Sequence, residues 1–492
     1  METLLVHYAR KSISPEERAS LFVDGEPRLT WTSLLYADFP QAEIFLVGGT
    51  IRDVLLGRHP QDIDLVVRNV PVDVLEPWLY RHGAAEFVGR FGTFKFVPHG
   101  CTNRQPLDIA LPRTEHVFDP DAHASGRKSL DVKFNSDLPI KEDLSRRDFT
   151  INAMAFELRN RRLIDPFLGL QDLHAGSISA VLLPEQRFFE DATRMLRALR
   201  LASQLGFGIE ELTWRALKAN IDLLQKTTTH ENGTHIYVVP REMIGREFLL
   251  GFNAHPMHTI RLWLECRALH LFMPELARLE GLLHEDRETI LQKTLNTISV
   301  LEKPSFLATY GVHRATPTLL LAALMSFVED DKATIARRIC TDYYFHQFPN
   351  NHHARIRCED LFWLLSHMHD FETVDPASLR PSKFENMFLT ERGRDLLMLM
   401  HATSIASGRH SVARERIHVA ERIRERMIAD ARMHEGADRL PRLLTGSDLQ
   451  VLGIEPGPGY RELLDLVRDM QLSHKIESKL EAEELVKLAL KK

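Results

Sequence analysis

The stretch EIFLVGGTIRDVLLGRHPQDIDLVV, residues 43–67, contains the pattern that decides the fold of this chain. Its apolar run 43–47 predicts a strand, which ends at the paired glycines Gly48 and Gly49. Apolar residues at helical spacing then predict a helix that begins near Thr50. A second apolar run follows and opens with two aspartates, although aspartate is a poor strand residue. These two aspartates therefore need a reason to be there.

The two aspartates, Asp62 and Asp64, are predicted to lie on one face of the strand, because alternate side chains of a strand point the same way. Two carboxylates held that close repel each other, and one is pushed towards protonation unless a cation lies between them. Oxygen ligands of this kind suit Mg²⁺. The alternative is that both aspartates are solvated residues at the start of a strand.

A third carboxylate, Asp108, lies in the run PLDIAL, residues 106–111, and is out of phase with its apolar neighbours. We expect Asp62, Asp64 and Asp108 to be catalytic, with Asp62 and Asp64 as metal ligands. Three carboxylates on adjacent strands could hold two Mg²⁺ ions, one to activate an attacking hydroxyl group and one to carry a triphosphate.

The paired glycines Gly48 and Gly49 predict a phosphate site next to these carboxylates. Glycine lets the backbone approach a ligand closely, and a helix N-terminus offers free N–H groups to an anion. The chain contains no GxxxxGK[ST] motif, so this is not a P-loop. Taken alone, two glycines indicate no more than a tight strand-to-helix turn.

The composition is that of a soluble globular protein, since 44% of the 492 residues are hydrophobic and 26% are charged. The net charge of −6 means that a nucleic-acid partner would need a local basic face. Four scattered cysteines without a CxxC pair favour neither a zinc ribbon nor a disulfide framework. No signal peptide or membrane-spanning run is recognised, so we expect a cytoplasmic protein.

Short strand-like runs dominate up to about residue 175, and long helical patterns follow. We therefore predict an α+β fold, in which a small mixed sheet with helices precedes an elongated all-helical part. The predicted segments are an N-terminal lead-in (1–40), a head (41–175), a helical neck (176–255), a helical body (256–440) and a helical tail (441–492). The structure of the lead-in is left open.

Four motifs occur in order along the first part of the chain, namely VGGTIRDVLLGRHPQDIDLVV (47–67), DLSRRDFTINAMAF (143–156), LIDPFLGLQDL (163–173) and RFFEDATRMLRALRLASQLGF (187–207). In sequence and spacing they resemble the class II tRNA nucleotidyltransferases and bacterial poly(A) polymerases, members of the polymerase-β-like nucleotidyltransferase superfamily. The resemblance implies a polymerase-β-like head. It also implies an enzyme that adds CMP and AMP from CTP and ATP to the 3′ end of tRNA with two Mg²⁺ ions.

The resemblance also implies a nucleotide site. Arg147 and Asp148 belong to the second motif, and a guanidinium beside the metal site offers two donors to phosphate oxygens. The alternative is a surface turn. The full set of predicted nucleotide-binding residues is Gly48, Gly49, Arg52, Arg147, Asp148, Asp191, Arg194 and Arg197.

Asp191 and Arg194 are three residues apart, and in a helix such residues share a face. A carboxylate can accept a hydrogen bond from the exocyclic amine of cytosine or adenine, while an arginine donates to the adjacent ring nitrogen. Uracil and guanine present a carbonyl group instead, and each mismatch costs ~1–3 kcal/mol. In the resembled family these positions select CTP and ATP; the alternative is a simple ion pair within a helix. Arg197, one turn further, could neutralise phosphate.

Three further features keep alternatives open. Asp165 and Gly169 resemble a family hinge between head and neck, although a turn fits them equally well. The polar segment between Arg113 and Lys141 occupies the place of a flexible loop that A addition requires. Met243 stands where the family pattern has arginine, so the role of that motif is open.

The helical body departs from relatives that carry a metal-dependent HD phosphohydrolase module. In LLLAALMSFVED, residues 319–330, Ser326 and Phe327 replace the His-Asp pair. The later His367, His369 and Asp370 are better explained as solvated or hydrogen-bonded groups than as metal ligands. Nine arginines against six acidic residues in 407–442 could follow an RNA backbone, or form an exposed helix with Glu–Arg pairs. The tail element 443–464 resembles that of long CCA- or A-adding enzymes.

Several functions remain as rivals at this point. Within the same chemistry they are an A-adding specialist and a poly(A) polymerase. From a different class, the rival is a catalytically idle RNA-binding protein on the same scaffold, which the intact DxD and EDxxR motifs disfavour. An HD-type hydrolase is disfavoured by the missing His-Asp pair.

Overall fold

The computed structural model has an α+β fold that divides into two compact units, Met1–Leu271 and Phe272–Lys492. The predicted fold class is therefore confirmed. The residues that the structure describes are 13–88, 92–101, 105–117, 130–229, 235–283, 288–328, 331–347, 355–408, 412–457 and 459–490.

The first unit contains the sheets. The strands are β1 Glu43–Val47, β2 Asp64–Arg68, β3 Gly83–Val88, β4 Thr93–Pro98, β5 Leu107–Ala110, β6 Arg113–Val117, β7 Leu130–Phe134, β8 Ala155–Glu157, β9 Arg162–Ile164, β10 Ser177–Ile178, β11 Gly208–Ile209, β12 Thr227–Thr229 and β13 His235–Tyr237. Seven of them form one mixed sheet in the order β3-β4-β5-β2-β1-β8-β9. The helices that begin in this unit are α1 Pro15–Gly25, α2 Thr32–Asp38, α3 Gly48–Leu55, α4 Val72–His82, α5 Ile140–Ser145, α6 Gly169–Ala175, α7 Pro184–Glu190, α8 Thr193–Leu205, α9 Glu211–Asn220, α10 Arg241–Ala254, α11 Pro256–Glu265 and α12 Ala268–Phe272.

The register of the mixed sheet places two of the predicted carboxylates side by side. Strand β2 pairs antiparallel with β1 and parallel with β5, and Asp64 is the direct partner of Asp108. The apolar residues of β1 and β2 are buried, and Phe45 and Val66 pack with residues of α5 in one core cluster. The sheet therefore has a fixed register at the edge where Asp64 lies.

Two boundaries near this edge differ from the expectation. Helix α3 begins at Gly48 rather than near Thr50, because glycine can take the φ of +67° that turns the chain directly out of β1. Strand β2 begins at Asp64, so Asp62 lies before the strand. Thr50 ties this segment to α3, since its hydroxyl donates to the Asp62 carbonyl at 3.1 Å and accepts from the Asp64 N–H at 2.8 Å.

The lead-in is folded from residue 13 onwards. Helix α1 begins behind an N-cap, Ser14, whose hydroxyl accepts from the Glu17 N–H, and it packs against α3. Arg28 is buried and pairs with Glu26, with Nε and Oε1 2.9 Å apart. These contacts attach the segment to the head.

The second unit is helical. After α12 its helices are α13 Pro274–Ala277, α14 Ile290–Leu301, α15 Pro304–Thr309, α16 Pro317–Met325, α17 Lys332–Asp342, α18 Cys358–Thr373, α19 Pro381–Phe388, α20 Glu391–Ala406, α21 Val412–Glu435, α22 Gly446–Val451, α23 Gly459–Leu472 and α24 Lys479–Ala489. The last three enclose their own apolar cluster, which includes Leu449, Val467 and Val486. Within the described ranges, no helix is both long and apolar enough to cross a bilayer.

Two sequence features of this unit have local partners. The hydroxyl of Ser326, which stands in the place of a histidine, is buried and donates to the Ala323 carbonyl at 2.8 Å. His367 lies inside α18 and stacks on Trp363, with ring centroids 4.2 Å apart. The side chains of His369 and Asp370, and residues 118–129 of the predicted loop, lie outside the described part of the chain.

Candidate active site

A cavity of about 630 Å³ opens in the first unit where β1 ends and β2 and β5 begin. Both glycines, four aspartates and several arginines meet there. Its lining residues are Val47, Gly48, Gly49, Asp64, Leu65, Thr93, Lys95, Asp108, Ala110, Arg113, Arg146, Arg147, Asp148, Asn152, Asp191, Arg194 and Arg197. Most of the predicted site residues therefore share one cavity.

Asp64 and Asp108 form the acidic part of the cavity. Burial raises the pKa of Asp64 to about 6; Arg147 opposes this shift, and the neighbouring carboxylates Asp108 and Asp62 add to it. Lys95 Nζ lies 2.6 Å from Oδ1 of Asp108 and 2.8 Å from Oδ2. Its hydrogen bond goes to Oδ2, while Oδ1 is in ion-pair contact with the same ammonium group. The Asp108 carboxylate therefore has a positive partner in Lys95.

Asp62 is more exposed than the other two carboxylates and is not among the described residues that line the cavity. Gln105 Nε2 donates to its Oδ1 at 3.4 Å. The sequence predicted that Asp62 and Asp64 lie on one face of a strand. This prediction is wrong, because the strand begins only at Asp64. The two carboxylates nevertheless influence each other electrostatically.

A side chain at the first glycine of the turn, Gly48, would be crowded and would strain the backbone, which has a φ of +67°. A Cβ at Gly48 would lie 2.8 Å from Nη1 of Arg147 and 3.6 Å from Oδ2 of Asp64. A Cβ at Gly49 would lie 3.5 Å from the Arg52 guanidinium. The backbone at Gly48 is therefore exposed to the cavity between a cation and a carboxylate, as close approach to an anionic ligand requires.

Two arginines of the RRD motif are held by one buried carboxylate. Arg146 Nη2 lies 2.7 Å from Oδ1 of Asp143, and Arg147 Nη2 lies 3.3 Å from its Oδ2. Burial alone would raise the pKa of Asp143, but the two guanidiniums hold it below its usual value. Arg147 lines the cavity, and its buried Nε has no hydrogen-bond acceptor among the described residues.

Asp148 pairs with Arg197, and both oxygens of its carboxylate already accept hydrogen bonds. Arg197 Nε donates to Oδ2 of Asp148 at 2.7 Å, and Arg197 Nη2 lies 2.6 Å from the same oxygen. Oδ1 of Asp148 accepts from the Phe149 N–H and from Asn152 Nδ2. Burial would raise the pKa of Asp148, yet Arg197 holds it well below the usual value. Asp148 thus positions Arg197 at the cavity.

Asp191 and Arg194 line the same cavity, but the expected helical spacing between them is wrong. Helix α7 ends at Glu190 and α8 begins at Thr193. Asp191 therefore lies between the two helices and has an extended backbone conformation. Its Oδ1 accepts from Thr193 N at 2.9 Å and from the Thr193 hydroxyl at 2.6 Å. An aspartate whose carboxylate accepts from the N–H two residues further on favours a turn over a continuous helix, and a new helix begins after it.

The remaining oxygen of Asp191, Oδ2, receives no hydrogen bond from any residue that the structure describes. The Arg194 guanidinium is oriented by Glu190 Oε2 at 3.0 Å and by the Arg146 carbonyl at 3.0 Å. Both side chains are more than 90% buried. The arrangement offers one carboxylate acceptor and one fixed guanidinium at the cavity wall.

Besides Asp62, three predicted residues do not line this cavity, namely Arg52, Asp165 and Gly169. Arg52 pairs with Asp53 at 2.8 Å and donates to Asn152 Oδ1 at 2.8 Å, which supports the cavity from behind. Asp165 caps α6, since its carboxylate accepts from the N–H groups of Gly169 and Leu170 at 2.7 and 2.9 Å. A hinge role for Asp165 and Gly169 stays a prediction.

The cavity residues that the sequence did not predict include Lys95, Arg113 and Asn152. Lys95 alternates with two buried phenylalanines, Phe94 and Phe96, and this period of two already marks it as facing away from the core. For Arg113 and Asn152 no local pattern gives such a signal. The role of the motif at Met243 also stays open; its neighbour Arg241 donates to the Tyr237 hydroxyl at 2.6 Å.

Comparison with known proteins agrees with this geometry. The family described as "Poly A polymerase head domain" matches residues 44–179. The CCA-adding enzyme of Lactobacillus helveticus is 35% identical over 256 residues, which cover 52% of this chain and 57% of that protein. The chain thus spans about half the length of the curated relatives it matches.

Solved structures share the fold over most of the chain. The CCA-adding enzyme of Bacillus stearothermophilus in complex with CTP has a TM-score of 0.59 at 22% identity, covering 95% of this chain and 98% of that one. The Thermotoga maritima CCA-adding enzyme complexed with tRNA has a TM-score of 0.56 at 22% identity, covering 94% and 96%. Residues 44–179 therefore match the poly A polymerase head domain family, and the chain is similar in sequence to CCA-adding enzymes over about half of its length.

Proposed function

We propose that this chain is a template-independent RNA nucleotidyltransferase that adds CMP and AMP, from CTP and ATP, to the 3′ end of tRNA. One observation carries the proposal: the paired carboxylates Asp64 and Asp108 share a cavity with the Gly48 turn and with the Asp191–Arg194 wall. The names of the relatives, which are CCA-adding enzymes, support the same activity.

The acidic residues fit Mg²⁺. Asp64 and Asp108 are adjacent in register, and burial, together with the neighbouring carboxylates, raises the pKa of Asp64 to about 6, a shift that a bound cation would offset. Asp62, two residues before the first residue of β2, would complete the set. When bound, two Mg²⁺ ions would make the RNA 3′ hydroxyl a better nucleophile and offset charge on the triphosphate.

The cationic residues fit the triphosphate. The Gly48 backbone permits close approach, and Arg147 and Lys95 lie on the cavity wall next to the carboxylates. Asp143 fixes Arg147 in place, so less side-chain freedom is lost when phosphate binds. These residues bind and orient; the catalytic contribution of the chain is mainly positioning and charge neutralisation.

The Asp191–Arg194 wall fits the base. Its Oδ2 acceptor matches the exocyclic amine of cytosine or adenine, and the Arg194 guanidinium matches the ring nitrogen beside that amine. A carbonyl in place of the amine would face a carboxylate in a buried site, which is unfavourable. The wall therefore favours CTP and ATP over UTP and GTP. Since tRNA and these nucleotides are cytoplasmic solutes, we place the reaction in the cytoplasm.

The test offers labelled CTP and ATP, separately, to tRNAs that end before the first C, after one C and after CC. We expect C to be added to the first two substrates and A only to the third. The Asp64→Asn variant is the control and should add nothing. Extension of the CC-ending tRNA alone would identify an A-adding enzyme, and long A tracts would identify a poly(A) polymerase. No transfer to any substrate under these conditions would contradict the proposal.

A further inference from the structure

A second group of metal-type ligands lies in the helical unit, at the end of the long helix α21. Asp430 and His434 are four residues apart on that helix, and His474 follows the end of α23. One ligand atom from each lies within 4.8 Å of the other two. Of all the described residues, these are the only three histidine, cysteine or acidic residues grouped in this way.

The contacts among the three side chains converge on the Asp430 carboxylate. His474 Nε2 lies 3.0 Å from Oδ2 of Asp430, and His434 Nε2 lies 3.7 Å from Oδ1. The two imidazole rings are 5.4 Å apart, centroid to centroid. All three side chains are between 33% and 57% exposed, so an ion can reach them from solvent.

The backbone at His474 supports a role for this side chain. His474 has a φ of +52°, at the point where α23 ends. Its N–H donates to the Gln471 carbonyl, and the Lys475 N–H donates to the Met470 carbonyl, which is the helix-ending turn that normally uses glycine. The chain places an imidazole at a position where glycine is conformationally easier.

We propose that Asp430, His434 and His474 bind one Zn²⁺ ion, with two imidazole nitrogens and one carboxylate oxygen as protein ligands. Imidazole with carboxylate is a donor set that zinc accepts, and residues four apart on a helix present two ligands to one side. The ion would connect the last turn of α21 to the turn after α23. This site is separate from the carboxylates of the first unit, and its presence does not depend on the proposed activity.

In the experiment, Zn²⁺ is titrated into the untagged 492-residue chain, and binding is measured by calorimetry. Thermal unfolding with and without Zn²⁺ then measures the effect on stability. The His474→Asn variant removes one ligand while keeping a residue that tolerates positive φ. His434→Gln is a second variant on an exposed helix position. His418→Ala is the matched control, because His418 is an exposed histidine on the same helix that contacts Glu421 instead.

We expect the wild type and His418→Ala to bind one more zinc equivalent than His474→Asn or His434→Gln, or to bind it about tenfold or more tightly. Zinc should also raise the Tm of the wild type by more than that of either ligand variant. Equal zinc stoichiometry and affinity in the wild type and both ligand variants would overturn the proposal. The carboxylates of the first unit are unchanged in all four proteins, so their metal binding cancels in the comparison.

Discussion

At the residue scale, Asp64 is the side chain on which the proposed chemistry depends most directly. It is the register partner of Asp108, and it lies 3.6 Å from where a Gly48 Cβ would be. The Asp64→Asn substitution keeps the shape but removes the charge, so we expect nucleotide incorporation to fall by about 10²–10³-fold or more. Primer extension on tRNA with saturating CTP measures this loss, and activity near the wild-type level would show that Asp64 is not part of the reacting centre.

The same residue predicts a pH dependence of stability. Burial raises the pKa of Asp64 from 3.8 to about 6 in the folded protein, so the fold binds this proton more tightly than the unfolded chain does. The stability that the proton provides is present at low pH and is lost as the pH rises through about 6. From this group, the unfolding free energy of the metal-free protein should fall by about 1–3 kcal/mol between pH 4 and pH 7.

Urea unfolding in EDTA across this pH range measures the effect, with Asp64→Asn as the reference. The asparagine variant lacks the titrating group, so the difference between the two proteins should grow as the pH rises. Added Mg²⁺ should reduce the difference, because a cation stabilises the ionised carboxylate. A difference that does not change with pH would mean that Asp64 is solvated rather than buried.

At the element scale, the sequence predicts helix around Asp191, but only the structure shows the break between α7 and α8. The spacing of apolar residues correctly indicates helices on both sides of Asp191. It does not show the break, because an aspartate costs little within a helical pattern unless its carboxylate captures the next N–H groups. The EDxxR motif points to the pair Asp191 and Arg194. Their geometry follows from the hydrogen bond that the Asp191 carboxylate accepts from the Thr193 N–H.

The Arg194 side chain, oriented from α8, should control base selection. Arg194→Ala removes the donor but leaves Asp191, so discrimination against UTP and GTP should fall by roughly tenfold to hundredfold, the equivalent of ~1–3 kcal/mol. Single-turnover incorporation of each of the four nucleotides measures the selectivity. Arg215→Ala is the control, since Arg215 is an exposed arginine that pairs with Glu211 on another helix of the same unit. Unchanged selectivity in Arg194→Ala would mean that the base is read elsewhere.

The start of α6 requires glycine for steric reasons. A Cβ at Gly169 would lie 2.2 Å from the Thr150 carbonyl oxygen, which is part of the backbone and cannot move aside alone. Gly169→Ala should therefore destabilise the chain by about 1–3 kcal/mol, as overpacking does. Gly25→Ala, at the end of α1 with nothing within 4 Å, should change stability by less than about 0.5 kcal/mol. Denaturant unfolding of both variants tests this, and equal stabilities would contradict the close contact.

At the scale of the whole molecule, the fold class and the order of head and helices followed from local patterns, and the contacts that close the site did not. The run of short strands up to about residue 175 predicted the seven-stranded sheet, which lies within that range. The strands after residue 175 form only two-stranded pairs in the described part of the chain. The partnership of Asp64 with Asp108 depends on a parallel pairing between strands about forty residues apart. The phase of Asp108 against its apolar neighbours marked it as a candidate, but periodicity within one segment contains no information on which strand it pairs with.

The second unit has a buried ion pair whose loss should affect stability alone. Arg468 of α23 contacts Glu385 of α19 through Nε at 2.8 Å and Nη2 at 2.5 Å, and both side chains are over 90% buried. Arg468→Met leaves the Glu385 carboxylate buried without a cation, which should cost about 3–5 kcal/mol. The double variant Arg468→Met with Glu385→Leu removes both charges and should recover most of that loss.

Chemical denaturation of the wild type, both single variants and the double variant gives the coupling energy between the two residues. The carboxylates of the first unit are unchanged in every protein of this series, so the folded variants should keep their selectivity for CTP and ATP. Stability losses that simply add would show that the pair is not coupled. In that case the packing of α19 against α23, rather than its charge pair, would hold this part of the helical unit together.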